Sequence, residues 1–107
     1  MHILIVANGT IRNKSFYRNI VKKYDKIIAA DGGAGNCIKL GIIPNYVIGD
    51  FDSISRKAKS KFRKIMIHDS NQDKTDIEKA ISLAKKLKCT KLTIIGAIGS
   101  RIDHTIS

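Results

Sequence analysis

The chain has 107 residues, enough for one domain with a real core and too few for two. Lys and Arg number 20 against 9 acids, a formal net charge of +11. No apolar run approaches the ~18 residues of a membrane span, no segment is of low complexity, and the short basic start does not read as a signal peptide. Cys37 and Cys89 stand far apart with no second pair, so neither a zinc site nor a disulfide framework is indicated. Two buried free thiols in a reducing cytoplasm are expected. The basic excess has two readings. One is a polyanionic partner such as nucleic acid. The other, which carries more weight, is a codon preference for isoleucine and lysine that places lysines on helix surfaces. The acids are more informative, because Glu78 is the only Glu and most of the Asp residues follow apolar runs.

His2 to Ala7 reads as a buried strand closed by the turn Asn8-Gly9. A helix is expected from about Lys14 to Tyr24, with Phe16, Ile20 and Val21 facing inward. Lys26 to Ala30 is a second strand, ending in Asp31-Gly32-Gly33-Ala34-Gly35-Asn36, and Cys37 to Leu40 continues a short helix that stops at Gly41. The only proline, Pro44, sits in a turn before a third strand, Tyr46 to Ile48. Ser55 caps a strongly basic helix running to about Arg63, and Lys64 to Ile67 is a short fourth strand. Thr75-Asp76-Ile77-Glu78 fits a capping box, with Ile77, Ala80, Ile81, Ala84 and Leu87 then recurring at helical spacing and lysines on the opposite face. Lys91 to Ile95 is a fifth strand, opening into the glycine-rich stretch from Gly96 to His104.

Continuous apolar strands alternating with amphipathic helices predict an α/β fold, a Rossmann-like three-layer sandwich with a mainly parallel sheet. Ligands of such sheets bind beyond the carboxyl ends of the strands. Asn8-Gly9, Asp31-Gly32-Gly33, Gly49-Asp50-Phe51-Asp52, Gln72-Asp73 with Asp76, and Arg101 with Asp103 each follow a strand, which points to a polyphosphate and metal site on that one edge.

Asp50 and Asp52 stand two residues apart behind an apolar run and Gly49, so strand alternation would send both carboxylates to one side, with Phe51 packing the other way. A hard divalent cation such as Mg²⁺ relieves the repulsion of such a pair. Gly32 and Gly33 would let backbone amides approach a phosphate, although Asp-Gly is equally common turn chemistry. Asp76 in the first turn of a helix complements the helix dipole and can still present a carboxylate. Arg101 has the planar donor fork that clamps a phosphoryl group. Neither Gly-x-Gly-x-x-Gly nor a Walker lysine motif occurs.

The segments Ala30-Asp31-Gly32-Gly33-Ala34, Ile48-Gly49-Asp50-Phe51-Asp52-Ser53, Gln72-Asp73-Lys74-Thr75-Asp76 and Gly96 to His104 together resemble the N-terminal catalytic domain of the thiamine pyrophosphokinase (thiamine diphosphokinase) family, in its order and roughly its spacing. The resemblance implies an ATP-dependent transferase that moves pyrophosphate from ATP to the hydroxyl of thiamine, giving thiamine diphosphate and AMP, with Mg²⁺. It implies Asp50, Asp52 and Asp76 as metal-binding acids and, with Asp103 close to the reacting groups, as the catalytic set. Asp31, Gly32, Gly33, Gln72 and Arg101 become the contacts to the nucleotide and its phosphates. Residues 1–107 correspond to the ATP-binding catalytic domain, incomplete at its C-terminus. By the same resemblance, the family's C-terminal β-sandwich, which binds thiamine and forms homodimers, is expected to be absent from residues 1–107. The fragment alone is therefore expected to hold Mg-nucleotide without productive thiamine binding, in the cytoplasm, with no nucleic acid or membrane partner.

Three rivals remain at this level. A related pyrophosphokinase could act on another alcohol such as a hydroxymethylpterin. Asp50-Phe51-Asp52-Ser53 also resembles the nucleophile motif of haloacid-dehalogenase-like phosphatases, though on the third strand rather than the first. A basic nucleic-acid-binding module would want interleaved aromatics, which the few aromatics do not supply.

Overall fold

A computed structural model of the chain describes residues 1–11, 14–97 and 102–105, the last as a strand. Its centre is β1 (His2–Val6), a β-branched run whose residues from Ile3 onward are buried on both faces, as a strand covered by helices on either side requires. Parallel partners flank it, β2 (Lys26–Ala30) on one side and β5 (Lys91–Ile95) on the other. Beyond β2 lie β3 (Tyr46–Gly49) and β4 (Met66–His68), also parallel, and the full order is β4-β3-β2-β1-β5-β6.

The sixth strand corrects the sequence expectation. Ile102–Thr105 does not continue the loop after β5 but returns as β6, antiparallel to β5, with Ile94 opposite Ile102 and Thr93 opposite Asp103. The class is therefore an α/β three-layer fold with a mainly parallel sheet.

Helices α1 (Lys14–Ile20), α2 (Gly33–Leu40) and α3 (Arg56–Lys61) connect the strands β1 to β4. One core layer lies beneath α2 and α3, joining Leu4, Val6, Ile27, Ala29 and Val47 to Ala34, Cys37, Leu40, Ala58 and Phe62. The opposite layer joins Ile3, Ile5, Ile28, Ala30 and Ile48 to Ala80 and Ala84 of α4 (Asp76–Lys86). Each fully buried Ile or Leu here contributes roughly 1.5–3 kcal/mol of apolar transfer energy. Going from β4 to β5 the chain crosses to the far side of β1, so the order of connections reverses between β1 and β5. Crevices form at the carboxyl edge of such a reversal.

Local signals explain most helix ends. Ser55 Oγ accepts the Ala58 amide at 3.1 Å, capping α3. At α4 the capping box is complete: Thr75 Oγ1 accepts the Glu78 amide and Glu78 Oε1 accepts the Thr75 amide, each at 3.1 Å. Gly41 ends α2 in the left-handed conformation, φ +69°.

Other expectations differ in detail. The first helix gives way at Val21–Lys23 to a 3-10 turn, and a second such turn, Arg63–Ile65, moves the start of β4 to Met66. Ile20 is buried, but Phe16 is 45% exposed and stacks edge-on against Tyr17 instead of entering the core. Cys37 and Cys89 are both buried free thiols, and burial pushes the Cys37 thiol up to about 12. No helix among the described residues is long and apolar enough to cross a membrane.

Candidate active site

The carboxyl ends of β2 and β3 are tied together by one aspartate. Asp31 follows β2 with φ +48°, and its amide donates to the Ile48 carbonyl at 2.8 Å. Its side chain is 1% exposed. One carboxylate oxygen accepts the Phe51 amide at 2.7 Å and the other accepts the Ser53 amide at 3.3 Å. Asp31 thus holds the turn after β3 in place by charge-assisted bonds, which are roughly twice as strong as neutral ones.

That turn departs from strand geometry at once. Gly49 has φ +154° and Phe51 has φ +68°. A Cβ on Gly49 would come within 2.7 Å of Asp31 Oδ1, so only glycine lets β3 pass this carboxylate. The Phe51 ring packs on the core layer below and lies tilted against His68, ring centres 5.8 Å apart. Asp50 Oδ1 accepts the Asp52 amide at 3.0 Å.

Asp76 arrives from the other face of the sheet as the first residue of α4. Its carboxylate, with those of Asp31 and Asp50, offers oxygens that all lie within 4.8 Å of one another. Three hard oxygen donors at the edge of a parallel sheet suit Mg²⁺, which is bound through one or two carboxylates and keeps its remaining positions for water and phosphate oxygens. Burial raises the Asp76 carboxyl above its ordinary value, and the charge of Asp31 adds to the rise. Lys79 pulls it back, while Asp50 and Asp52 push it up further. Like charges that add to the proton affinity of a neighbouring, partly buried carboxyl, as here at Asp76, are an electrostatic mark of a site that suits a cation.

Lys79 is the residue that sequence pattern misplaces. It belongs to the lysines expected on the solvent face of α4, yet it is 3% exposed. Its ammonium donates to the Asp69 carbonyl at 2.7 Å and stands 3.9 Å from Asp76 Oδ1. Its position three residues after Asp76, on the same helix face, was the available signal.

The remaining candidates distribute as follows. Asp52 is exposed and falls outside the group of three acids, because alternation stops at Gly49 and the turn separates Asp52 from Asp50. Gly32 and Gly33 are buried. A Cβ on Gly33 would collide with the Val6 carbonyl and one on Gly32 with the Asn8 side chain, so these glycines seat the start of α2 against the end of β1. Gln72 and Asp73 are exposed in the β4–α4 loop; Gln72 Nε2 donates to the Ser70 carbonyl at 3.4 Å, and the Asp73 amide donates to Asn71 Oδ1 at 2.9 Å. Asp103 lies on β6 opposite Thr93. Arg101 lies outside the described residues.

Asn36, absent from the candidates, is buried in α2 and donates from Nδ2 to the carbonyls of Ala7 at 2.7 Å and Gly9 at 2.8 Å, pinning the loop after β1. Nothing in its helical context signals this.

The family described as "Thiamin pyrophosphokinase, catalytic domain" matches residues 17–107. The chain belongs to this family. Thiamin pyrophosphokinase 1 of Caenorhabditis elegans is 29% identical over 117 residues, covering 98% of this chain and 47% of the relative. Thiamine pyrophosphokinase of Bacillus subtilis is 31% identical over 81 residues, covering 72% of this chain and 38% of the relative. The crystal structure of the Bacillus subtilis thiamine pyrophosphokinase superposes with a TM-score of 0.73 at 26% identity, over 94% of this chain and 49% of that one. Yeast thiamin pyrophosphokinase superposes with a TM-score of 0.65 at 31% identity, over 78% of this chain and 31% of that one. The chain thus spans less than half the length of these thiamine pyrophosphokinases. The phosphatase and pterin rivals gain no support from these comparisons.

Proposed function

We propose that the chain is the nucleotide- and metal-binding part of a thiamine diphosphokinase, which transfers the terminal pyrophosphoryl group of ATP to thiamine. The observation that carries this reading is the convergence of Asp31, Asp50 and Asp76 at the carboxyl edge of the sheet of a thiamine pyrophosphokinase catalytic domain. In the reaction the thiamine hydroxyl oxygen bonds to the β-phosphorus of ATP. The bond from that phosphorus to the bridging oxygen of the α-phosphate breaks, AMP leaves, and the hydroxyl proton is lost.

Asp50 and Asp76, with Asp31 behind them, are assigned to hold Mg²⁺, which when bound neutralises charge on the phosphoryl oxygens. Asp52 adds to the same negative field, as its effect on Asp76 supports. Asp31 holds the Gly49–Ser53 turn in register, so that Asp50 is positioned before substrate arrives. Arg101 is assigned to the transferred phosphates, Gln72 to the nucleotide and Asp103 to the region of the reacting groups. The working enzyme is a homodimer in the cytoplasm that includes a thiamine-binding β-sandwich.

The test joins this chain to the part of the Bacillus subtilis relative that it does not match and follows AMP and thiamine diphosphate by chromatography. AMP and thiamine diphosphate are expected in equal amounts, dependent on thiamine and Mg²⁺ and lost in Asp50→Asn. Release of phosphate or ADP without thiamine diphosphate, from a folded chimera that binds ATP, would overturn the reading.

A further inference from the structure

Between Asp52 and Asp69 the chain holds six Lys and Arg and no acid. Arg56, Lys57, Lys59, Lys61, Arg63 and Lys64 lie on α3 and the 3-10 turn that follows it, and all are exposed. Helix α4 differs, because Asp76 and Glu78 stand among its lysines. Among the described residues the single ion pair joins Lys79 to Asp76, and none of these six cations has a hydrogen-bond partner. A codon preference supplies lysines along a whole chain, but it does not remove the acids from one segment.

Two adjoining clefts lie along this segment. Arg56, Lys59, Ser60 and Arg63 recur at helical spacing and line a cleft of about 260 Å³. The other, of about 350 Å³, has mainly apolar walls: Phe62 and Ile65 from this segment, Ile43 and Pro44 from the loop before β3, with Lys61 and Lys64 beside them. Ser60 and Arg63 line both, so the basic stripe runs into the apolar cleft. Pro44 precedes the start of β3 and Ile65 that of β4, which puts the apolar cleft at the amino edge of these parallel strands, away from the acid cluster.

The walls are fixed. Ile43 is 73% exposed, yet its loop is pinned on both sides. The Ile42 amide donates to the Cys37 carbonyl at 3.0 Å, the Asn45 amide donates to the Ile27 carbonyl at 2.7 Å, and Asn45 Oδ1 accepts the Ile27 amide at 2.8 Å. On the other wall the Phe62 amide donates to the Ala58 carbonyl at 2.9 Å and the Ile65 amide to the Phe62 carbonyl at 3.0 Å. An apolar side chain held out in water on a pinned loop, beside unpaired cations, complements an apolar group with negative charge around it.

The lining selects among polyanions. Single-stranded nucleic acid wants exposed aromatics on which bases stack, and the aromatic here, Phe62, is 2% exposed. A bilayer surface wants an outward apolar helix face, whereas Ala58 and Phe62 turn into the core. We propose that the joined clefts dock an acidic peptide segment of a partner protein, its carboxylates paired with Arg56, Lys59 and Arg63 and one apolar side chain seated between Ile43, Pro44 and Ile65. The stripe from Arg56 to Arg63 rises ~10 Å, the reach of about three extended residues, so acids a few positions from the anchor meet it.

Binding is read by fluorescence anisotropy of a labelled peptide in which glutamates flank one phenylalanine. Peptides with serine for the phenylalanine, or lysine for the glutamates, are the comparisons. The phenylalanine peptide is expected to bind about tenfold more tightly than the serine one, and the lysine peptide not at all. Added salt should weaken both acidic peptides. Lys59→Glu combined with Arg63→Glu, both exposed changes, should weaken both acidic peptides by about tenfold or more. Ile43→Ser should weaken the phenylalanine peptide alone, and its retained affinity for the serine peptide shows that the variant is folded.

Equal affinity for the two acidic peptides, or affinity for the phenylalanine peptide unmoved in either variant, would overturn the site. So would tighter binding of oligouridylate RNA or phosphatidylserine vesicles than of the phenylalanine peptide. The chimera with the Bacillus subtilis remainder should bind the peptide as this chain does; loss there would show the face covered within the enzyme itself and overturn a separate partner. None of these residues belongs to the acid cluster, so peptide binding and thiamine-dependent AMP release stand or fall separately.

Discussion

At the scale of single residues, the site depends on a small set of backbone conformations that side chains rarely tolerate. Asp31 and Phe51 both have positive φ, and between them Gly49 passes the Asp31 carboxylate with no room for a Cβ. Such conformations cost about 1–3 kcal/mol each and persist where surrounding bonds hold them. Here the bonds are those from the Phe51 and Ser53 amides to Asp31. Gly49→Ala should therefore cost about 1–3 kcal/mol in urea unfolding. It should also weaken Mn²⁺ binding, measured by electron paramagnetic resonance, because a displaced Asp31 no longer aligns Asp50. An alanine variant with native stability and native Mn²⁺ affinity would show that the tight passage is not needed.

At the scale of elements, α4 brings two groups to the sheet edge through one helix start. The capping box sets where the helix begins, which places Asp76 in the first turn beside the acids. One turn on, Lys79 reaches back to the Asp69 carbonyl and so joins α4 to the loop leaving β4. A buried hydrogen bond from a charged group contributes about 1.5–3 kcal/mol, and removing the donor leaves the carbonyl without it. Lys79→Met should destabilise the fold by about 2 kcal/mol. Hydrogen exchange of the amides between Asp69 and Thr75 should quicken well before the rest of the chain opens. Uniform protection across that loop in the variant would separate Lys79 from any role in ordering it.

At the scale of the whole molecule, two packed core layers support an edge that concentrates negative charge on a chain whose formal net charge is +11. Burial first, and then the charge of Asp31 with smaller additions from Asp50 and Asp52, raise the Asp76 carboxyl. A carboxyl whose value is higher in the folded than in the unfolded state binds its proton more tightly when folded. Native stability then falls as pH rises from the ordinary aspartate value through the raised one, and the penalty persists above it. Glu78 works in the opposite sense. Its carboxylate is held below the usual range by the Thr75 amide and hydroxyl, so its contribution is present above the unfolded value and lost as pH falls through the folded one. Comparing the native chain with Asp76→Asn isolates the first effect. In chelator, Asp76→Asn should melt higher than the native protein at pH 7, with the two curves converging below the ordinary aspartate range. Mg²⁺ should raise the native melting temperature and leave the variant nearly unmoved. Equal melting curves in chelator would remove the case for a repulsive acid cluster.

Periodicity and turn chemistry are local properties, and they carried the sequence reading a long way. Apolar runs broken by Asn8-Gly9, Asp31-Gly32-Gly33 and Gly49-Asp50 placed the first three strands and their carboxyl ends, and Thr75 with Glu78 placed the start of α4. The order of the motifs also carried the family. Tertiary contact decided the rest. Asp31, not Asp52, shares the cluster with Asp50 and Asp76, because strand alternation ends at Gly49, where the Asp31 carboxylate leaves no room for a Cβ. Lys79 is buried although lysine on an amphipathic helix ordinarily faces water, because a carbonyl from another element waits for it. Phe16 is exposed although apolar, and Ile102–Thr105 pairs as an antiparallel strand after a glycine-rich stretch that reads as loop. For the turn after β3 the deciding partner, Asp31, lies about twenty residues away along the chain, and neither spacing nor propensity encodes a partner that only folding brings near.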